Sequence, residues 1–503
     1  MIRHSGSALT ALLTLLVLWA PLPFASATPW AVAIIQVCCF TALALAAAAL
    51  RDGGRLRPAL LPAAALAAVA LLAFLQSLPW PGFVVSLLSP QHAAAAARAA
   101  ALPEVSVAHR FLSLAPGASQ AAALQWAALA AALLAGAAAG WRAARRWIAG
   151  AVILGGIFQA FFGAYAQYKR ALTLWGVDVP RSPRLHGTFV NPNHLALFLE
   201  LGLCVATAWG WWALRRTRDD EQPERRLLLL AGPALCALTL LAGLVLTGSR
   251  AGLLAAAAGF TVQTLAAAAA RRRWRRVVLS LGVALCGLGL VVVGVGAREG
   301  LGRFIDTRVN DVSLQGRLTE YRAVLRLWSR FPLFGSGVGS FHEAFPLVQP
   351  EALQGTWSHA HSDILELAAT GGLLGLALLL AGSVPAVRRL LTLMRSRSRS
   401  EDRAAALAVL GCLTAAGFHE MLDFGLTMPA NGVTLAVLAG AALGTQIRRV
   451  ASLSPESHRS RRDRPASQGL ELDQVEAPAE REAGDKRSSR ARRRRSEQRP
   501  VEP

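Results

Sequence analysis

The stretch Ser358-His359-Ala360-His361-Ser362-Asp363-Ile364-Leu365-Glu366 sets two histidines and two carboxylates at the mouth of an apolar run that extends to Val387. A histidine at the N-terminal end of a helix meets the positive end of the helix dipole. That disfavours imidazolium and leaves a neutral ring able to accept a proton. Asp363 or Glu366 is placed to orient such a ring. His361 is the first candidate for the base and His359 the second.

Two arginines are candidates for gripping an anion. Arg250 lies in the minimal turn Thr247-Gly248-Ser249-Arg250-Ala251-Gly252 between two apolar runs, where no cation is needed to orient the chain. Arg317 opens the stretch Arg317-Leu318-Thr319-Glu320-Tyr321-Arg322, which continues through Arg326 and Arg330 to Phe331-Pro332-Leu333-Phe334-Gly335-Ser336-Gly337. Arg322, Arg326 and Arg330 repeat every four residues while Leu318, Tyr321, Leu325 and Trp328 line another face, which is the pattern of an amphipathic helix at a membrane interface. Headgroup contact is expected for Arg326 and Arg330. Arg317 is the better ligand, and Arg322 is its substitute. Pro332 should end the helix and glycines 335, 337 and 339 should form a flexible turn.

Supporting candidates lie in two further places. Arg184 precedes His186-Gly187-Thr188-Phe189-Val190-Asn191-Pro192-Asn193-His194, a turn from which Asn193 is placed to cap the following helix. Glu200 falls inside that helix, where a carboxylate faces protein or water rather than lipid. His419-Glu420-Met421-Leu422-Asp423-Phe424 and the later Pro429-Ala430-Asn431 either line the same cavity or pack plainly; Asp423 is their supporting candidate.

These residues sit among membrane spans. Of 503 residues 54% are hydrophobic and only 16% charged, against about 25% charged in soluble domains. Apolar runs fall near 8–26, 30–50, 58–79, 119–140, 147–167, 195–214, 227–246, 251–270, 277–297, 364–386, 404–420 and 432–447. Each is close to the ~20 residues that cross a hydrocarbon core. The first resembles a signal peptide, but the run starting at Trp30 favours an uncleaved span. The net charge of +22 comes largely from arginines in short loops beside spans, and positive-inside topology explains it better than nucleic acid. The loops at Arg51–Arg57, Arg142–Arg146, Arg215–Arg226, Arg271–Arg276 and Arg388–Arg403 all fall on one side. The expectation is an all-α polytopic membrane protein with about twelve spans and both termini cytoplasmic. All the stretches named above then lie on the outer face, and 298–363 forms a large loop carrying amphipathic helices. The chain divides into N-terminal spans (1–140), central spans with the outer motifs (141–297), that loop, C-terminal spans (364–447) and a basic tail (448–503). The tail's composition marks it as disordered. Its Arg492–Arg495 block suits either anionic headgroups or simple orientation. All six cysteines lie in apolar runs, so neither a disulfide framework nor a thiolate metal site is indicated.

Arginines hold phosphate oxygens bidentately and keep their charge, and a histidine can deprotonate a hydroxyl. A compartment without nucleotide sugars must receive an activated sugar on a lipid carrier, with a diphosphate as leaving group. Two arginines and one base complete such a transfer. No Asp-x-Asp pair occurs in an outer loop, which points away from metal dependence and leaves no metal or cofactor to be named.

The chain resembles the O-antigen ligase and polymerase family, membrane glycosyltransferases of the broader GT-C type. The resemblance runs from Arg184 to Asn431. It rests on Gly-Thr-Phe-Val-Asn-Pro-Asn-His, Thr-Gly-Ser-Arg-Ala-Gly, Gly-Arg-Leu with Phe-Pro-Leu-Phe-Gly-Ser-Gly, His-Ser-Asp-Ile-Leu-Glu-Leu, and Asp-Phe-Gly-Leu-Thr-Met-Pro-Ala-Asn, in that order. It implies two essential arginines, matching Arg250 and Arg317 (or Arg322), and one histidine, matching His361. It also implies an undecaprenyl-diphosphate-linked donor, inversion at the anomeric carbon and no metal, at the periplasmic face of the bacterial inner membrane. The chain has His-Ser-Asp where many relatives have His-Asn. A lipid A core acceptor makes a ligase, a growing chain an O-antigen or exopolysaccharide polymerase, and a protein acceptor an O-oligosaccharyltransferase; the Pro-Ala-Asn element leans towards a polymerase. The rivals from other classes are a polysaccharide transporter or flippase, which would need mid-membrane ionisable residues and broken helices, and a non-catalytic assembly scaffold.

Overall fold

The computed structural model describes residues 2–49, 56–102, 110–169, 173–179, 182–217, 222–269, 312–395 and 399–445. The expected span 277–297, the first part of the long loop (298–311) and the basic tail from 448 lie outside them. The order begins with α1 (Ile2–Trp19), α2 (Pro29–Ala49), α3 (Arg57–Gln76), α4 (Gly82–Leu88), α5 (Pro90–Ala100) and α6 (Pro116–Tyr168). A small hairpin, β1 (Thr173–Leu174) with β2 (Val177–Asp178), precedes α7 (Pro192–Arg216), α8 (Pro223–Leu246) and α9 (Arg250–Ala269). Then come α10 (Val312–Arg330), α11 (Phe341–Ala344), α12 (Asp363–Arg395), α13 (Ser400–His419) and α14 (Pro429–Leu443).

Eight helical segments among the described residues are long and apolar enough to cross a membrane. Two of them are the arms of α6, Pro116–Gly140 and Trp147–Tyr168, separated where Gly140 takes φ 71° and breaks the helix. Large apolar side chains on these segments, such as Leu154, Leu227 and Leu235, remain exposed. That is costly in water and natural against lipid chains. The protein is a helical polytopic membrane protein.

The shorter apolar helices fill the middle. Every residue of α14 is buried, and it lies along α6 at backbone contact: a side chain on Gly440 would meet the Leu133 carbonyl, and one on Gly136 the Val437 carbonyl. Small residues allow this approach where lipid offers no hydrophobic drive between helices. On α1, Leu9, Leu13, Leu16 and Val17 join the same core.

One end of the bundle carries the motifs. There α12 is interrupted at Gly372, which takes φ 67°, and the segment after α10 fills the gap. Ser336 and Gly337 donate to the carbonyls of Ala369 and Thr370 (both 2.9 Å), while Leu373 and Leu374 donate to those of Pro332 (2.9 Å) and Leu333 (3.1 Å). The exchange satisfies the backbone groups that a broken helix leaves orphaned. Gln76, the last residue of α3, clasps the same segment by donating to Phe334 O (2.6 Å) and accepting from Val338 N (2.9 Å). His92 on α5 packs against Phe331 at 4.6 Å and has its Nε2 3.3 Å from Ser336 O. The turn expected to be flexible is therefore fixed: a Cβ at Gly335 would overlap the Thr370 backbone.

The helix over 312–330 is present, but its buried face is not the expected one. Glu320, Ala323, Val324 and Leu327 are buried, and the last three join Phe331, Phe341 and Phe345 in a second, smaller core, while Leu318 and Leu325 stay 46% exposed. The segment 341–348 packs on this face. Arg326 and Arg330, expected at lipid headgroups, reach the carbonyls of Val348 (3.4 Å) and Leu347 (3.0 Å).

Candidate active site

The site is built where α7, α9, α12 and α14 begin and α8 and α13 end. Ser362 starts α12: its Oγ accepts from Leu365 N (3.3 Å), as an N-cap does, and donates to Glu420 O (3.0 Å) at the end of α13. Just before it, His361 holds φ +44°, a left-handed conformation that non-glycine residues seldom adopt. The strain, about 1–2 kcal/mol, is held by neighbours on α10. Tyr321 Oη donates to His361 O (2.9 Å), and His361 Nδ1 lies 3.1 Å from both carboxylate oxygens of Glu320.

Glu320 is fully buried while the His361 side chain is 31% exposed. When Nδ1 donates to the Glu320 carboxylate, Nε2 is the ring nitrogen left able to accept a proton. Trp357 meets the imidazole edge-on at 5.4 Å and Phe424 at 5.2 Å, which limits its rotation. Burial raises the Glu320 carboxyl above its ordinary pKa, and the neighbouring His361 and Arg317 pull it partly back.

Sequence reasoning did not single out Glu320, and it expected Asp363 or Glu366 to orient His361. Both acids are otherwise engaged. Asp363 accepts from Thr427 N (3.0 Å) and Thr427 Oγ1 (2.5 Å). Glu366 lies 3.2 Å from His359 Nδ1 and accepts from Ala360 N (3.0 Å). Burial works against charge on His359, but the Glu366 hydrogen bond and charge outweigh it and raise its pKa. His359 stacks on Phe424 at 4.6 Å, so the two histidines flank one ring. A sign of Glu320 was present: it shares a helical stripe with Ala323, Val324 and Leu327, where a carboxylate needs a partner.

The cationic side of the site is a connected line of hydrogen bonds. Arg317, one turn before Glu320, donates from Nη1 to Leu422 O (2.7 Å) and from Nη2 to Asp423 Oδ2 (3.3 Å). The same buried Asp423 oxygen accepts from Asn193 Nδ2 (2.6 Å), and Asn193 Oδ1 accepts from Arg184 Nη2 (2.5 Å). Arg184 Nε then donates to Thr247 O (2.6 Å), in the turn that delivers Arg250 to the start of α9. Asn193 thus bridges Arg184 and Asp423, while Asn191 caps α7 by accepting from Asn193 N (2.9 Å). Cap and bridge divide between the two asparagines of Asn-Pro-Asn, where sequence reasoning gave the cap to Asn193.

Arg322 is not part of this group. It is exposed on the face of α10 away from Glu320. Glu200 lies deeper, on α7, with Oε1 2.7 Å from His419 Nδ1 and both side chains fully buried. His194 and Asn431, which were not assigned roles, complete the floor: His194 meets Phe424 edge-on at 4.5 Å, and Asn431 donates to His194 O and Gly425 O (both 3.0 Å).

A histidine backed by a buried carboxylate, beside Arg317 and Arg184 joined through Asp423 and Asn193, suits attack by a hydroxyl on a centre bearing an anionic leaving group. Comparison of the chain with curated proteins finds no match. Residues 234–380 match the family model described as O-antigen ligase. Arg250, Arg317, Glu320 and His361 fall inside that segment; Arg184, Asn193, Glu200 and Asp423 fall outside it. The family suggests a glycosyltransferase-type enzyme and, in general terms, implies a lipid-linked glycan donor and a glycan acceptor. The match over 234–380, on a helical polytopic membrane protein, supports assigning this chain to the O-antigen ligase family.

Proposed function

We propose that the protein transfers a glycan from an undecaprenyl-diphosphate carrier to a hydroxyl of an acceptor glycan, with inversion and without a metal, at the periplasmic face of a bacterial inner membrane. The acceptor is a growing polysaccharide or a lipid A core. In this reading the chain crosses the membrane about twelve times, with both ends cytoplasmic. The observation that carries it is the His361–Glu320 pair set beside Arg317 on the same helix, with Arg317 linked through Asp423, Asn193 and Arg184 to the turn of Arg250.

His361 Nε2 takes the proton of the acceptor hydroxyl as its oxygen attacks the anomeric carbon. The bond from that carbon to the phosphate oxygen breaks, and its electron pair leaves with undecaprenyl diphosphate. Glu320 stabilises the imidazolium that forms. Arg317 and Arg250 bind the diphosphate and offset the charge that grows on it. The starts of α7, α9 and α12 add positive dipole ends on the same side.

The test is transfer by purified protein in lipid discs, supplied with lipid-linked glycan and acceptor. His361→Ala should fold and lose product formation by about 100-fold or more. Undiminished transfer by the folded variant would overturn the reading.

A further inference from the structure

We infer that Glu200 and His419 are positioning residues that set the spacing of the two diphosphate-binding arginines; this rests on the proposed diphosphate donor. The pair sits inside the bundle, Glu200 about 12 Å along α7 from Pro192 at ~1.5 Å per residue, and His419 at the end of α13. The hydrogen bond between them is 2.7 Å, and neither side chain is exposed. Ionisable groups buried among apolar spans are costly and persist where they do a task.

Each partner supports the backbone that seats a different arginine. On one side, Gly252 of α9 packs against Glu200: a Cβ there would come within 2.9 Å of Glu200 Oε1 and 2.9 Å of Ala196 Cβ. Gly252 is two residues from Arg250, so the first turn of α9 rests on Glu200. On the other side, His419 O accepts from the backbone N–H groups of Leu422 and Asp423 (both 2.9 Å). These are the two residues whose oxygens hold Arg317. The Glu200–His419 bond therefore joins the seat of Arg250 to the seat of Arg317, beneath a second link made above it by Arg184, Asn193 and Asp423.

Neither residue is placed to touch substrate, so the effect should fall on donor affinity and not on proton transfer. Binding of undecaprenyl diphosphate to protein in lipid discs reads this without turnover. Glu200→Ala should weaken that binding, and raise the donor KM, by tenfold or more with kcat within about threefold. Glu200→Gln, whose amide oxygen can still accept from His419, should restore most of the affinity. Gly252→Ala, which pushes a methyl between α9 and Glu200, should reproduce the affinity loss in a protein that keeps the pair. Unchanged diphosphate binding in folded Glu200→Ala would overturn the inference, as would a loss confined to kcat. If wild-type protein binds the diphosphate and His361→Ala still transfers glycan, the proposed base fails and the positioning role is judged by binding alone. If wild-type protein does not bind undecaprenyl diphosphate, both fail.

Discussion

His361 Nδ1 lies 3.1 Å from both carboxylate oxygens of Glu320, a residue 41 positions earlier on a separate helix. One side chain is enclosed and the other partly open, so the carboxylate can orient the ring and stabilise its charge without competing for the acceptor.

Replacing Glu320 by Gln should therefore lower kcat by about 100-fold while leaving donor KM little changed. Glu320→Asp should recover part of the rate. Steady-state kinetics at fixed acceptor concentration separates the two parameters.

The rate should also fall as pH drops. Burial raises the Glu320 pKa, so its carboxylate is lost at a higher pH than an exposed glutamate's, and His361 then loses its anionic partner. In Glu320→Gln the part of this pH dependence that Glu320 contributes should be absent, because the amide does not titrate.

Arg317 and Arg322 should separate sharply. Arg317 spans Leu422 O and Asp423 with two nitrogens of one planar group, a geometry that lysine does not reproduce. Arg317→Lys should lower kcat/KM for the lipid-linked donor by about 10- to 100-fold. Arg322→Ala should stay within about twofold, since the side chain is exposed on another face of the helix.

Gly335→Ala should destabilise the folded protein by about 2–4 kcal/mol, from overpacking and from the positive φ of 73°. The added methyl would meet the Thr370 backbone within the break in α12. Thermal unfolding of detergent-solubilised protein, followed by size-exclusion chromatography, reads the loss.

Mild acid should loosen the same region. Burial lowers the His92 pKa from 6.5 to about 4, although the Ser336 carbonyl acts in the opposite direction. A histidine whose folded pKa is depressed binds fewer protons when folded, so stability is intact above about 6.5 and is lost as pH falls from there to about 4. His92→Gln should give a shallower decline of melting temperature over that window than the parent protein.

The sequence by itself determined the helical membrane architecture, because apolar runs near 20 residues have few other stable fates in lipid. It also put forward Arg184, Asn193, Glu200, Arg250, Arg317, Arg322, His359, His361, Asp363, Glu366 and Asp423 as candidates, from polar and charged side chains set beside apolar runs. Tertiary structure decided which of them pair. Glu320 reaches His361, and Asp423 joins Arg317 to Asn193, only because helices far apart in the chain begin or end at one place. No local periodicity encodes such contacts. The break at Gly372 escaped notice for a related reason. An apolar run reads as continuous whether its ladder is closed within the helix or completed, as here, by Pro332–Gly337 from another segment. The face that α10 buries likewise depends on distant chain: Ala323, Val324 and Leu327 pack against 341–348 and Glu320 meets His361, while Arg322 stays outside.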